Sequence, residues 1–388
     1  METSILQTIY ATHSGVKAVL SAVEKGDKSI YISGLVGSAA SMVCSAIFSK
    51  SAGHLLCVLN DLEEAGYFYH DCCQILGDEN TLFFPSQFKR NIRYGQKDLA
   101  NDILRTEVLS RLSVTSDQLP VTSEQSLFTL IVTYPEALAE KVVSGSALKG
   151  KTLAVRVGEK IDSLFVSEVL ASYSFERVDY VYEPGQYAVR GSIIDVFSFS
   201  NEYPYRIDFF GNEVESIRSF DVETQLSREK LEAISIISGQ SGEGDTTLLS
   251  YLPDTTKVVF RNEEWVYDKM QSQWNEEPTV VNEETFSSLE DIRKLLTPME
   301  VFRELTAGYT KLHLSAPSTS RHCGLDPQSP AKERGVYSEG IAGQARNDDS
   351  RAGQAGNDTH ATISFSTTPH LSHKKKLRPP HRPFQGIS

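Results

Sequence analysis

The stretch "SIYISGLVGSAASMVCSAI", residues 29–47, decides the fold class. A short run of β-type residues leads into a turn carrying Gly34 and Gly37, and the turn opens a helix-like segment. That layout is the one used by phosphate-binding loops, in which backbone N–H groups at a helix N-terminus cradle an anion. The pattern G-x-x-x-x-G-K-[ST] is incomplete here. Gly34, Gly37 and Ser38 are in place, but Ala39 stands at the second glycine, Ala40 at the lysine and Ser41 at the hydroxyl position. Without the lysine, only N–H groups and a helix dipole would face a polyanion. As a bare pattern the segment also reads as an ordinary strand–turn–helix connection, and on both readings ATP hydrolysis is not expected.

Outward from this stretch, strand-like and helix-like segments alternate. "LLCVLND" (55–61) and "TLFFP" (81–85) read as buried strands, "LEEAGYFYHDCCQIL" (62–76) and "ILRTEVLSRL" (103–112) as helices, and "FTLIVTY" (128–134) as a further strand. Such alternation predicts a parallel α/β sheet. From residue 151 the texture changes. A helix over 160–173 is followed by short strands, with a hairpin signal at Gly211-Asn212 and a helical turn within "QLSREKLEAISIIS". A parallel α/β domain is therefore expected over 1–152, interrupted by a small α/β domain over 153–238 and resumed over 239–315, where Pro298 breaks a helical stretch. Beyond residue 315 the sequence is poor in large apolar residues and nearly repeats itself, "AGQARND" (342–348) against "AGQAGND" (352–358). Such a segment cannot bury enough surface to offset its ordering entropy, so a disordered tail is expected over 316–388.

The net charge is −13, with +4 carried by residues 317–388 and −17 by the remainder. An acidic body argues against broad DNA binding, which needs clustered Lys and Arg. Five scattered cysteines without a C-x-x-C pair suggest neither a disulfide framework nor zinc. No cofactor and no metal are expected. The polar N-terminus and the lack of a long apolar run predict a cytoplasmic protein with no membrane contact. His370 and His373 could catch metal adventitiously, and the basic run "KKKLRPPHR" could touch nucleic acid nonspecifically.

The most specific stretch is "YEPGQYAVRGSIIDVFSFSNEYPYRIDFFGNEVESIRSFDVETQLS", residues 182–227. It resembles the second domain of the bacterial transcription-repair coupling factors, a domain shared with the excision-repair helicase UvrB. Upstream, "GLVGSAAS", "LFFPSQFKRNIRYG" (82–95) and "ILRTEVLSRL" resemble the helicase-derived (RecA-type) first domain of the same family. The likeness covers residues 29–314, and it implies that the outer domain, 1–152 and 239–315, is helicase-like and that the loop at residues 34–41 is a decayed phosphate loop. It implies a module that docks on the damage-recognition subunit UvrA and has no motor of its own. RNA polymerase and DNA would be contacted only through domains absent from these residues. The full family protein is an ATP-dependent DNA translocase. A translocase activity in this chain, or a non-functional truncated remnant, are the competing readings. The break in resemblance near residue 316, which looks like a translated repetitive element, suggests an insertion and frameshift.

In "YRIDFF" (205–210), strand alternation puts Ile207 and Phe209 on one face and Arg206, Asp208 and Phe210 on the other. An exposed aromatic beside arginine has the composition of an interface hot spot. The resemblance places the UvrA contacts on Arg190, Arg206 and Phe210. Gly191 and Gly211 read as backbone devices. Asp195 and Asp208 have no His or Lys partner to make a catalytic pair, and no catalytic residue is expected.

Overall fold

The computed structural model of the chain describes residues 10–87, 99–113, 128–239, 244–276, 289–314 and 360–365. In chain order the strands are β1 (Ser29–Ser33), β2 (Leu55–Val58), β3 (Thr81–Phe83), β4 (Leu130–Thr133), β5 (Thr152–Arg156), β6 (Glu176–Arg177), β7 (Gln186–Arg190), β8 (Ile193–Val196), β9 (Tyr205–Phe210), β10 (Glu213–Phe220), β11 (Ser227–Leu231), β12 (Ala233–Ile237), β13 (Lys257–Phe260), β14 (Thr310–Leu314) and β15 (His360–Ser364). The seven-stranded sheet has the order β15-β1-β14-β13-β2-β4-β3, and every pairing in it is parallel. Parallel sheets are covered on both faces. β2, β4 and β13 are accordingly buried at every position.

Helices pack on this sheet where the sequence provides caps. Asp61 accepts from the Glu64 N–H to start Leu62–Leu76, and Asn262 accepts from the Trp265 N–H to start Glu263–Asn275. Pro298 separates Leu289–Leu295 from Met299–Thr306 and serves as the second helix's N-cap residue. Cys72 is buried and Cys73 half-buried on the helix Leu62–Leu76; burial pushes the Cys57 and Cys72 thiols up. They therefore behave as small apolar groups rather than nucleophiles. Beneath the end of β3, Arg105 and Glu140 form a fully buried pair at 3.0 Å. Glu140 also accepts from Ser86 Oγ and from the Gln87 N–H, and Arg105 Nη1 donates to the Pro85 carbonyl. Here a buried charge is tolerated because its partners are fixed.

The second sheet, β11-β10-β9-β8-β7-β6, is mostly antiparallel, and β5 pairs with β12 beside it. One helix, Ser163–Ser172, capped by Asp162, packs Val166 and Leu170 against Ile194, Ile207, Phe209 and Ile236. The segment expected as a helical turn is instead β11. Its Arg, Glu, Lys and Leu are good helix formers, but antiparallel pairing with β10 supplies the ladder bonds, leaves Arg228, Glu229 and Lys230 in water and sets Leu231 against the core.

Within the range expected to be disordered, residues 316–359 and 366–388 lie outside the described residues, as do His370, His373 and the basic run. Between them the structure differs from the expectation. β15 joins the edge of the large sheet with five residues in parallel register on β1, so pairing with a preformed strand supplies what local composition does not. Among the described residues no helix is long and apolar enough to cross a membrane.

His54 is buried, and its Nδ1 accepts the Thr129 N–H at 3.1 Å. Burial holds its pKa below the ordinary value, so the unfolded chain takes up this proton first as pH falls. The contribution of His54 to stability should be complete above pH of about 6.5 and decline below it. Urea unfolding at pH 7.5 and 5.5 checks this: the loss on acidification should be smaller in His54→Gln than in wild type.

Candidate partner-binding site

Alternation in β9 divides the small sheet into two chemical faces. Ile207 and Phe209 point into the core with Tyr187, Ile194, Val196 and Ile217. The opposite face carries Arg206, Asp208 and Phe210. Cross-strand register brings Ala188, Asp195, Arg206 and Arg218 into one row over four strands. The next row aligns Arg190 with Ile193 and Asp208. Two tight turns set this register. Gly211 (φ +64°) links β9 to β10, and Gly191 (φ +61°) links β7 to β8; both angles suit glycine.

The centre of the face is Asp195, only 1% exposed. Arg206 grips it in a fork, with Nε donating to Oδ1 at 2.7 Å and Nη2 to Oδ2 at 2.9 Å. Arg190 Nη2 donates to the same Oδ2. Each guanidinium also lies over an aromatic ring: Arg206 over Phe220 at 4.4 Å and Arg190 over Tyr180 at 5.0 Å. Arg206 Nη1 reaches the Gln225 carbonyl at 3.3 Å. Hydrogen bonding to Asp195 raises the Arg206 pKa further, so the cation is permanent. Beside this cluster, Arg218 and Asp208 approach to 3.6 Å.

Exposure along this face is uneven. Phe210 is 79% exposed and sits at the hairpin tip, with Tyr180, Tyr182 and Leu226 also exposed. The Arg190 side chain is 37% exposed, whereas that of Arg206 is 16% exposed. The strand direction of Arg206 is the one alternation requires, but its head is not splayed on the surface beside Phe210. A buried carboxylate needs a counter-charge, and the Arg206 fork supplies it. Sequence reading missed Asp195 as the residue that joins Arg190 and Arg206. The signal available was the tight turn after Arg190, which fixes Asp195 opposite Ala188 and within reach of the arginine.

The loop of residues 34–41, read from the sequence as a decayed phosphate loop, turns at two glycines and is filled by contacts within the protein. Gly34 (φ +81°) and Gly37 (φ +58°) are left-handed. Ala39 and Ala40 open the helix Ala39–Lys50 with their methyl groups buried. The Ser41 hydroxyl lies 2.8 Å from the Ser38 carbonyl and 2.9 Å from Asp71 Oδ2, so its contacts are within the protein. Phe365, after β15, closes over the start of the loop. Its N–H donates to the Ser33 carbonyl at 2.7 Å, its ring stacks on His13 at 5.0 Å, and Ser364 Oγ meets Ser33 Oγ at 2.9 Å. A Cβ on Gly34 would collide with the Phe365 carbonyl, and one on Gly15 with the Phe365 ring. Among the described residues, no group of His, Cys, Asp and Glu is arranged to hold a metal ion.

With this geometry in place, the comparisons become informative. Residues 153–241, which include the whole arginine–aspartate face, match the family model of the UvrB interaction domain. The chain is 28% identical over 233 residues to the transcription-repair-coupling factor of Bacillus subtilis, covering 60% of this chain and 19% of that protein. It is 28% identical over 239 residues to the Escherichia coli factor, covering 61% and 20% respectively. The chain is related to the transcription-repair coupling factors. It carries their UvrB interaction domain, and it spans about a fifth of the length of the curated coupling factors it matches. A Staphylococcus aureus coupling factor matches in the same way, at 26% over 244 residues.

The Phe365 seat in this coupling-factor relative is directly testable. Gly34→Ala places a side chain at positive φ against a backbone oxygen and should cost at least about 1–3 kcal/mol. Phe365→Ala should cost about 3–5 kcal/mol by emptying a buried ring site. Because both act on one contact, the double variant should lose less than the sum. Chemical denaturation of the three variants reads this out; wild-type stability in Gly34→Ala would show that Phe365 does not sit there.

Proposed function

We propose that this chain acts in transcription-coupled DNA repair as a module that docks on UvrA and performs no chemistry. The observation that carries the reading is the face of the matched domain: an exposed Phe210 at a hairpin tip, on the same sheet face as Arg190 and Arg206, which are gathered on Asp195. Rigid aromatic and arginine side chains of this kind dominate binding energies at protein interfaces. The name of the matched domain, and the coupling factors that share it, direct the partner assignment to the UvrA–UvrB excision system. Arg190, Arg206 and Phe210 are the proposed contact residues. Contacts with RNA polymerase and DNA, which the resemblance assigns to other parts of the family chain, are not proposed for these residues.

Lack of ATP turnover is part of the proposal. Ala40 puts a buried methyl where a phosphate loop has its lysine, and Ser41 is engaged with Ser38 and Asp71. A loop without that cation holds a triphosphate only by backbone dipoles. Residues 34–41 are therefore read as a connection, not as a nucleotide site.

Two measurements test the assignment. The full chain should be retained on immobilised UvrA without nucleotide, and Phe210→Ala or Arg206→Ala should weaken retention at least tenfold, about 1.4 kcal/mol. Equal retention of wild type and both variants would reject the docking face. Phosphate release from ATP should stay at the buffer blank with and without DNA; turnover above it would revive the translocase reading.

A further inference from the structure

We propose that Asp195 is a positioning residue for the docking face: it fixes the guanidiniums of Arg190 and Arg206 in the arrangement a partner meets. The inference rests on the docking reading above and assigns a role to a residue that never reaches the surface. Asp195 is 1% exposed, so it cannot touch a partner itself. Both its oxygens are committed, Oδ1 to Arg206 and Oδ2 to Arg206 and Arg190.

The arrangement is over-determined in a way a purely structural ion pair does not need. Two guanidiniums brought to one place repel each other, and the carboxylate between them makes their proximity favourable. Each head is then held from a second side. Phe220 lies under Arg206 and Tyr180 under Arg190. The Gln225 carbonyl, which accepts from Arg206 Nη1, is presented by a residue in the left-handed region (φ +57°). A fork held in this way has lost its rotamer freedom before any partner arrives, so binding does not have to order it. The two arginines divide the work. Arg206 is mostly covered and braces the face, while Arg190 is the more exposed of the two and the one a partner can reach. The nearby Arg218–Asp208 pair stands apart at 3.6 Å and does not share the Asp195 carboxylate.

The experiment uses the full chain and purified UvrA, with two independent readouts. In the first, arginine side chains are labelled with nitrogen-15. The Arg206 Nε–H should exchange slowly in wild type and in Phe210→Ala, and rapidly in Asp195→Asn. In the second, UvrA affinity is measured in a mutant cycle. Asp195→Asn should weaken binding at least tenfold. Added to the Arg190→Ala/Arg206→Ala variant, it should weaken binding by less than twofold further, because Asp195 acts only through those side chains. A further tenfold loss in that background, or wild-type affinity in folded Asp195→Asn, overturns the proposal. If Asp195→Asn does not fold, Asp195→Glu replaces it: the charge is kept but displaced by one methylene, with the same tenfold loss expected and wild-type affinity overturning. If wild type does not bind UvrA, the docking reading fails, and the Arg206 exchange rate alone decides whether Asp195 positions the arginines.

Discussion

A parallel strand cannot be paired by a tight turn, and that constraint organises the molecule. Each neighbour of β1 comes from far along the chain: β14 lies on one side and β15 on the other. The crossover between β4 and β13 is where the small domain is inserted. Its first and last strands, β5 and β12, run antiparallel, with Thr152 opposite Ile237, so the inserted segment leaves and returns at one point. The large sheet can thus close as though the insertion were a short connection. The small sheet can present its own outer face without interrupting the larger core.

On that outer face, electrostatics does what the apolar core does elsewhere. Removing one member of a buried ion pair typically costs about 3–5 kcal/mol, because a charge is left without a partner. Asp195 therefore ties three strands together through side chains as well as through backbone ladders. Stability and the proposed docking role fall on the same three residues, so variants here need a readout that separates the two.

Much of this was legible in the sequence because the patterns are local. The run at residues 29–47 announces strand, turn and helix, and "YRIDFF" announces which side chains point inward. The Gly211-Asn212 turn announces the hairpin. What escaped depends on contacts between distant segments. Asp195 has no local pattern with Arg206, eleven positions away; they meet only through the β8–β9 register. β11 was hidden by helix-forming residues that are exposed on an edge strand. β15 was hidden because "HATIS" is short and follows a stretch with no core-forming character, and only the waiting edge of β1 makes it a strand. The loop at residues 34–41 shows another limit of local patterns. Its glycines suit anion binding, yet here Gly34 leaves room for a peptide carbonyl.

That last contact bears on synthesis. Ser33 and Ser364 are 331 residues apart and meet directly. Chains grow at roughly 5–20 residues per second. The outer edge of β1 therefore stays open for tens of seconds while the residues up to β15 are made. During that interval an unpaired strand bearing Ile30 and Ile32 borders solvent, the kind of edge on which nascent chains stick to one another. Emergence of β15, rather than formation of the first sheet contacts, is the moment at which this edge becomes safe from its neighbours.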